Sequence, residues 1–354
     1  MIRQFEREVY RLKIAVLAGG YSPERDVSLT SGSLIANALI DEGNHVCLAD
    51  VYMGVELSGR SPDELFVTAK YPRYEVEKCI PDLEALKAKR GGNSLIGEGI
   101  IDICRAADVV FLALHGAMGE NGQLQATLDS FGIKYTGSGY DGSLLAMDKD
   151  LSKKIFRDAG VNTPDWIYMP ARECSLSLVK ERIGFPCVIK PTSCGSSVGV
   201  SIVETEADFE SAIALAQRYE GNIIIEKKIV GRELTVGILD GEILPMIEII
   251  PLCGFYDYEN KYQSGKTLEV CPADIDEELQ MTLAEQTKLG FLALRLSGYA
   301  RFDFMVDGDG KPYCLEANTL PGMTPTSLLP QMAQKVGLNF GKLCVKICHT
   351  ALKK

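Results

Sequence analysis

Apolar residues along the chain come in short bursts, each bounded by glycine or by polar turns. Lys13 to Ala18 (KIAVLA) is a continuous apolar run that stops at Gly19-Gly20, the pattern of a strand buried on both faces and feeding a turn. A polar stretch from Tyr21 to Asp26 follows. Helical periodicity then runs from about Ser28 to Ile40, is halted by Gly43, and gives way to a second strand from His45 to Val51. A third strand, Asp108 to Leu114, ends at His115-Gly116. This order predicts a doubly wound parallel sheet. Residues from about 55 to 100 are too irregular to assign. A helix is expected from Ser143 to Asp158, closed by Gly160 and Pro164, and a boundary falls near Gly139 to Asp141. Beyond it the pattern changes to strands at hairpin-like spacings: Pro186 to Pro191, Val198 to Val203, Asn222 to Lys227 and Leu234 to Leu239, with a helix from Glu206 to Gln217. The last third holds a long helix, Ile275 to Leu296, and two strands around Asp309-Gly310. The chain thus reads as α/β followed by α+β.

Composition narrows the function. The 354 residues carry a formal charge of −11, which argues against a scaffold built to neutralise nucleic acid or an anionic membrane. No apolar run approaches the roughly 18 residues that cross a bilayer, and MIRQFEREVYRLK lacks the apolar centre of a secretory signal. Eleven cysteines, an odd number without a C-x-x-C pair, point to a reducing cytoplasm rather than a disulfide framework. Cys344, Cys348 and His349 lie close together, but on a helix whose apolar side is expected to pack, so burial explains them better than a metal.

Two familiar motifs fail on spacing. Gly19-Gly20 lacks the G-x-G-x-x-G of a dinucleotide fold. Gly265-Lys266-Thr267 would need a glycine at Asn260 to be a P-loop.

The chemistry concentrates in Tyr299 to Asn318. Period 2 puts Arg301 and Asp303 on one face of the first strand, and Glu316 and Asn318 on one face of the second. A two-residue turn at Asp309-Gly310 would set Asp303 opposite Glu316 and Arg301 opposite Asn318. Two carboxylates and an amide oxygen on one face suit Mg²⁺ or Mn²⁺, the ions that bridge nucleotide phosphates. The alternative is a solvated hairpin face with an exposed ion pair. The turn Asn318 to Gly322 offers backbone N–H groups beside Arg301 for an oxyanion hole. A second signal is Lys190-Pro191 followed by Cys194-Gly195-Ser196-Ser197-Val198-Gly199: a lysine ending a strand, then a loop whose amides can approach phosphate. Lys149 lies early in a helix. Lys261 lies in an aromatic, charged stretch, Phe255 to Tyr262, with the character of a lid. Glu226 and Glu233 bracket Gly231-Arg232, and carboxylates there can accept from ribose hydroxyls or an adenine amine.

Together these pieces resemble the D-alanine–D-alanine ligases of the ATP-grasp superfamily. The segments that carry the resemblance are GGYSPERDVSLTSG, LHGAMGENGQLQ, YTGSG, AMDKDLSK, VIKPTSCGSSVGVS, GRELTV, FYDYENKY, ARFDF and LEANTLPGMTPTSLLP, in this order from Lys13 to about residue 350. The resemblance implies a pre-ATP-grasp domain over 1–139, an ATP-grasp central lobe over 140–225 and a C-terminal lobe over 226–354. It implies that Lys149, Lys190 and Ser197 bind ATP phosphates and that Lys261 reaches the transferred group. Glu226, Lys227, Ile229 and Glu233 would hold adenine and ribose, with Phe255 packed on the base. Asp303, Glu316 and Asn318 would ligate two Mg²⁺ or Mn²⁺ ions. Glu24, supported by Ser196 and Tyr262, would hold the ammonium of the first D-alanine, and His115 would lie near a substrate carboxylate. Arg301 and the Gly322 N–H would form the oxyanion hole, while Ser327 and Leu328 would contact the second D-alanine. A cytoplasmic homodimer serving peptidoglycan precursor synthesis, with no nucleic-acid or membrane partner, is expected. Two alternatives stand beside this reading. A ligase taking D-serine or D-lactate second is disfavoured by Tyr262 and Leu328. A non-catalytic nucleotide-binding regulator would have lost lysines or metal ligands that are all present here.

Overall fold

The computed structural model describes residues 11–74, 81–195, 198–252 and 267–354. The chain divides into two compact units. The first holds residues through His115, with Thr127–Thr136 and Phe340–Lys354. The second holds Gly116–Ala126 and Gly137–Asn339.

In the first unit, β1 (Lys13–Ala18) leads to α1 (Arg25–Asp41) and β2 (His45–Asp50). After α2 (Leu83–Arg90) and α3 (Ile100–Ala106) comes β3 (Val109–Leu112), and the three strands form a parallel sheet in the order β2-β1-β3. Ile14 to Ala18 are fully buried, as an uninterrupted apolar central strand requires. Of the two short helices, α2 falls in the stretch that had no readable period and α3 begins where that stretch ends. The terminal helix Phe340–Leu352 belongs to this unit, where the sequence reading carried the last domain through residue 354. Its apolar stripe is the reason: Leu343, Cys344, Ile347 and Cys348 are wholly buried while His349 faces outward. No group of three or more His, Cys, Asp and Glu side chains placed to hold a metal occurs among the described residues.

The second unit begins with part of α4 (Gln123–Ser130) and continues through α5 (Tyr140–Met147) and α6 (Lys149–Asp158). The single helix expected over 143–158 is two. Asp148 adopts an extended conformation and its carboxylate accepts from the N–H groups of Asp150 and Leu151, which ends one helix and caps the next. Then come β4 (Trp166–Pro170), α7 (Leu176–Arg182), β5 (Cys187–Pro191), β6 (Ser201–Val203), α8 (Phe209–Gln217) and β7 (Asn222–Lys227), whose strands form an antiparallel sheet in the order β4-β7-β5-β6. β6 starts later than expected because Gly199 turns the chain with a φ of +72°. Val179, Ile189, Phe209, Ile223 and Ile225 fill the core of this sheet.

The second antiparallel sheet is built from β8 (Gly231–Leu239), β9 (Glu242–Ile243), β10 (Ile247–Pro251), β11 (Thr267–Val270), β12 (Tyr299–Asp307) and β13 (Pro312–Asn318), with α9 (Glu277–Ala293) against it and α10 (Leu328–Lys335) following. At Gly231 any β-carbon would overlap the Val306 carbonyl of β12, so only glycine can open β8 at this register. Phe302 and Phe304 point from β12 into the core with Phe156, Val236 and Leu283. The opposite face of β12 carries Arg301, Asp303 and Met305. No described helix is long and apolar enough to cross a membrane.

Candidate active site

The hairpin β12–β13 pairs Arg301 with Asn318 and Asp303 with Glu316, as alternation required. The turn differs from the expected one. Asp307 N donates to Lys311 O and Gly310 N to Asp307 O, a three-residue connection that would offset the register by one. A bulge between Asp303 and Phe304 absorbs the offset, with Leu315 as the extra residue of β13. One consequence is that Leu315 and Glu316 both line a single cavity.

That cavity, about 460 Å³, has two sheet walls. The β5–β6–β7 wall contributes Val188, Lys190, Ile202 and Glu226, and Ile229 follows β7. The second wall contributes Glu233, Ile249, Asp303, Met305, Leu315 and Glu316. Lys149 at the start of α6 and Cys194 of the loop after β5 also line it. Apolar surface on both walls suits a flat base. The charged groups suit a polyanion.

Two charged clusters organise the cavity. In the first, Glu226 is 3% exposed. Its Oε1 accepts from Lys190 Nζ at 2.5 Å and its Oε2 from Lys153 Nζ at 2.9 Å. Burial alone would raise its pKa, but the two ammonium groups outweigh that and hold it down at about 2. Lys153, in the interior of α6, has no exposed side-chain surface. It also donates to Thr163 Oγ1 at 2.7 Å and lies 5.2 Å from the Trp166 ring centre. Desolvation lowers its pKa, and the attraction of Glu226 only partly offsets this.

In the second cluster, Asp303 Oδ1 accepts from Thr235 Oγ1 at 2.7 Å and Arg301 Nε at 2.9 Å. Its Oδ2 accepts from Arg301 Nη2 at 2.8 Å and Asn318 Nδ2 at 3.0 Å. Glu316 Oε2 lies 3.3 Å from Lys149 Nζ, which also donates to the Cys194 carbonyl at 2.8 Å. Two carboxylates and an amide on one strand pair, lining a cavity with lysines, form a hard-oxygen donor set that fits a divalent cation.

The remaining candidates fall in several places. Lys227 and Glu233 line the cavity. Gly322 lies beside Ser327, whose Oγ accepts from Thr324 N at 3.0 Å, and Leu328 opens α10 in a buried position. In the first unit, Glu24 immediately precedes α1 and its N–H donates to Ser22 Oγ, while His115 Nε2 lies 3.4 Å from Ser31 Oγ. Arg25 is buried against Asp50 and the Gly20 carbonyl, which braces the loop that carries Glu24. Ser196, Ser197, Phe255, Lys261 and Tyr262 lie outside the described residues. The sequence reading overlooked Lys153 and Thr235. Lys149, Ser152, Lys153 and Phe156 follow helical spacing on one buried stripe of α6, so a lysine sharing a stripe with phenylalanine was the available signal.

With this geometry, the comparisons are decisive. The family model described as D-ala D-ala ligase N-terminus matches residues 13–138, and that described as D-ala D-ala ligase C-terminus matches 155–349. The chain belongs to the D-alanine–D-alanine ligase family. It is 41% identical to the D-alanine–D-alanine ligase of Pediococcus pentosaceus, over 95% of this chain and 96% of that one. Identity to the ligase of Lacticaseibacillus casei is 38%, over 97% and 96%. A crystal structure of the Bacillus anthracis D-alanine–D-alanine ligase complexed with ATP superposes with a TM-score of 0.73 at 32% identity, covering 97% of this chain and 98% of that one. A second structure of that ligase gives 0.74 at 34%. The architecture is therefore that of an ATP-grasp ligase, preceded by its parallel-sheet domain.

Proposed function

We propose that the chain joins two D-alanines with ATP, through a D-alanyl phosphate, to supply the dipeptide of peptidoglycan precursors. The observation that carries this reading is the pairing of Asp303 with Glu316 beside Lys149, in a cavity whose facing wall presents Lys190. The carboxylate of the first D-alanine attacks the γ-phosphoryl group, ADP leaves, and the amine of the second D-alanine attacks the resulting acyl phosphate to release phosphate. Lys149 and Lys190 would hold phosphate oxygens. Glu226, Lys227, Ile229, Glu233 and Phe255 would hold the nucleoside, and Ser197 and Lys261 would assist on the phosphates. Asp303, Glu316 and Asn318 would hold two Mg²⁺ or Mn²⁺ ions, which when bound neutralise charge on the phosphoryl oxygens. Arg301 and the Gly322 N–H would stabilise the oxyanion of the tetrahedral intermediate. The resemblance alone assigns Glu24, Ser196, Tyr262 and His115 to the first D-alanine, and Ser327 and Leu328 to the second. It also supports the lobes at 140–225 and from 226 onward, a homodimer, and a cytoplasmic setting.

A phosphate-release assay tests the reading. ATP and Mg²⁺ with D-alanine should give release, L-alanine should not, and D-alanine paired with D-serine or D-lactate should add little to D-alanine alone. Equal turnover with both alanine enantiomers, or none with either, would reject it. Dominant turnover with D-lactate would move the chain to the ester-forming branch.

A further inference from the structure

Glu226 has two ammonium partners, and they are not equivalent. Lys190 lines the cavity and is placed to meet an incoming triphosphate. Lys153 lies beneath it with no exposed side-chain surface, held by Thr163 Oγ1, the face of Trp166 and Glu226 Oε2. When Lys190 turns toward phosphate, the 2.5 Å contact with Glu226 must loosen. A carboxylate that is 3% exposed cannot lose its only counter-charge without a large penalty, since an uncompensated buried charge is strongly destabilising. A second, immobile cation removes that penalty.

We infer that Lys153 is a positioning residue whose fixed charge neutralises Glu226 and so leaves Lys190 free to bind the nucleotide triphosphate. The inference deepens the ATP-dependent reading above and rests on it. Without Lys153, Lys190 is held by Glu226 and is lost to the phosphates. A nucleoside without phosphates makes no such demand on Lys190, and this separates the inference from a general loosening of the cavity.

The test measures binding to Lys153→Met by calorimetry, without D-alanine, using the β,γ-imido analogue of ATP with Mg²⁺. Adenosine serves as a competitor. The expected result is a loss of about tenfold or more for the triphosphate analogue, with adenosine changed by less than about twofold. In turnover, KM for ATP should rise while KM for D-alanine stays in place. Adding Glu226→Gln should restore the triphosphate affinity to that of Glu226→Gln alone, because a neutral amide needs no counter-charge. Should Lys153→Met fail to fold, the double variant against Glu226→Gln carries the test. Equal loss for both ligands, no loss, or a double variant far weaker than Glu226→Gln would overturn the inference. Wild-type protein that binds the analogue but releases no phosphate with D-alanine would reject the proposed function and leave this inference intact.

Discussion

The two walls of the cavity handle buried carboxylates in opposite ways. On the β5–β7 wall, Glu226 meets two lysines, so the Lys153–Glu226–Lys190 cluster carries a net positive charge before any ligand arrives. On the β12–β13 wall, Arg301 is spent on Asp303 and Lys149 on Glu316, so that cluster is neutral. An excess cation is matched to an anionic ligand. A neutral set rich in oxygen is matched to a cation that brings its own charge. On the function proposed above, the positive wall would take phosphate, and the neutral, oxygen-rich wall would take the metal while Lys149 turns from Glu316 to the phosphates.

The sharpest way to break this division is Glu316→Ala. Turnover should fall by at least about 100-fold with the fold retained, and the thermal midpoint should drop because the buried Lys149 ammonium loses its carboxylate partner. Steady-state assays across Mg²⁺ concentrations would check it, and a variant that keeps a tenth of wild-type turnover would remove Glu316 from the metal site. Asp303→Asn should come next. It leaves the mostly buried Arg301 guanidinium without its bidentate partner, so activity drops and urea unfolding should show a loss of about 3 kcal/mol. Unchanged stability would mean that the Arg301–Asp303 pair does not hold the hairpin face.

How much of this was legible before the fold was known depended on periodicity. The facing of Asp303 and Glu316 followed from alternation of period 2, because Phe302 and Phe304 had to point into a core. The bulge at Leu315 did not follow, since turn and bulge each shift the register by one and the two cancel. Two errors of opposite sign left the pairing correct. The break at Asp148 was hidden because Asp148 serves as a cap, and a cap inside a helical pattern looks like an ordinary polar residue. Lys153 was missed because a lysine is read as solvated by default. Only the fold brings β7 over α6 and shows what neutralises it.

Glu226→Gln should change the pH dependence of stability on the positively charged wall. The folded-state pKa of Glu226, about 2, lies below its ordinary value of 4.5. Its contribution to stability is therefore fully present above pH 4.5 and is lost as pH falls through about 2. At neutral pH the variant should be less stable than wild type, with two lysines lacking a counter-charge. The gap should close as the pH is lowered from 4.5 to 2. Thermal unfolding of both proteins across that range would check it. A gap that stays constant down to pH 2 would mean that the fold does not lower the pKa of Glu226.

The smallest effect is expected from Trp166→Phe, and its smallness is informative. Trp166 is the only tryptophan, and its indole N–H donates to Asp150 Oδ1 at 2.9 Å. The ring also lies 5.2 Å from the Lys153 ammonium and 4.6 Å from the Arg157 guanidinium carbon. Phenylalanine removes one hydrogen bond and weakens the cation–π attraction, a cost of about 1 kcal/mol. Asp150 keeps Lys154, and Lys153 keeps both Thr163 and Glu226. Unfolding followed by circular dichroism should therefore show a modest loss, while affinity for the ATP analogue stays within about twofold of wild type, since each 1.4 kcal/mol is tenfold and the charges have not moved. If Trp166→Phe weakened the analogue as much as Lys153→Met, the aromatic ring and not the fixed charge would be setting this wall of the cavity. The contrast between an over-compensated and a neutral wall would then lose its physical basis.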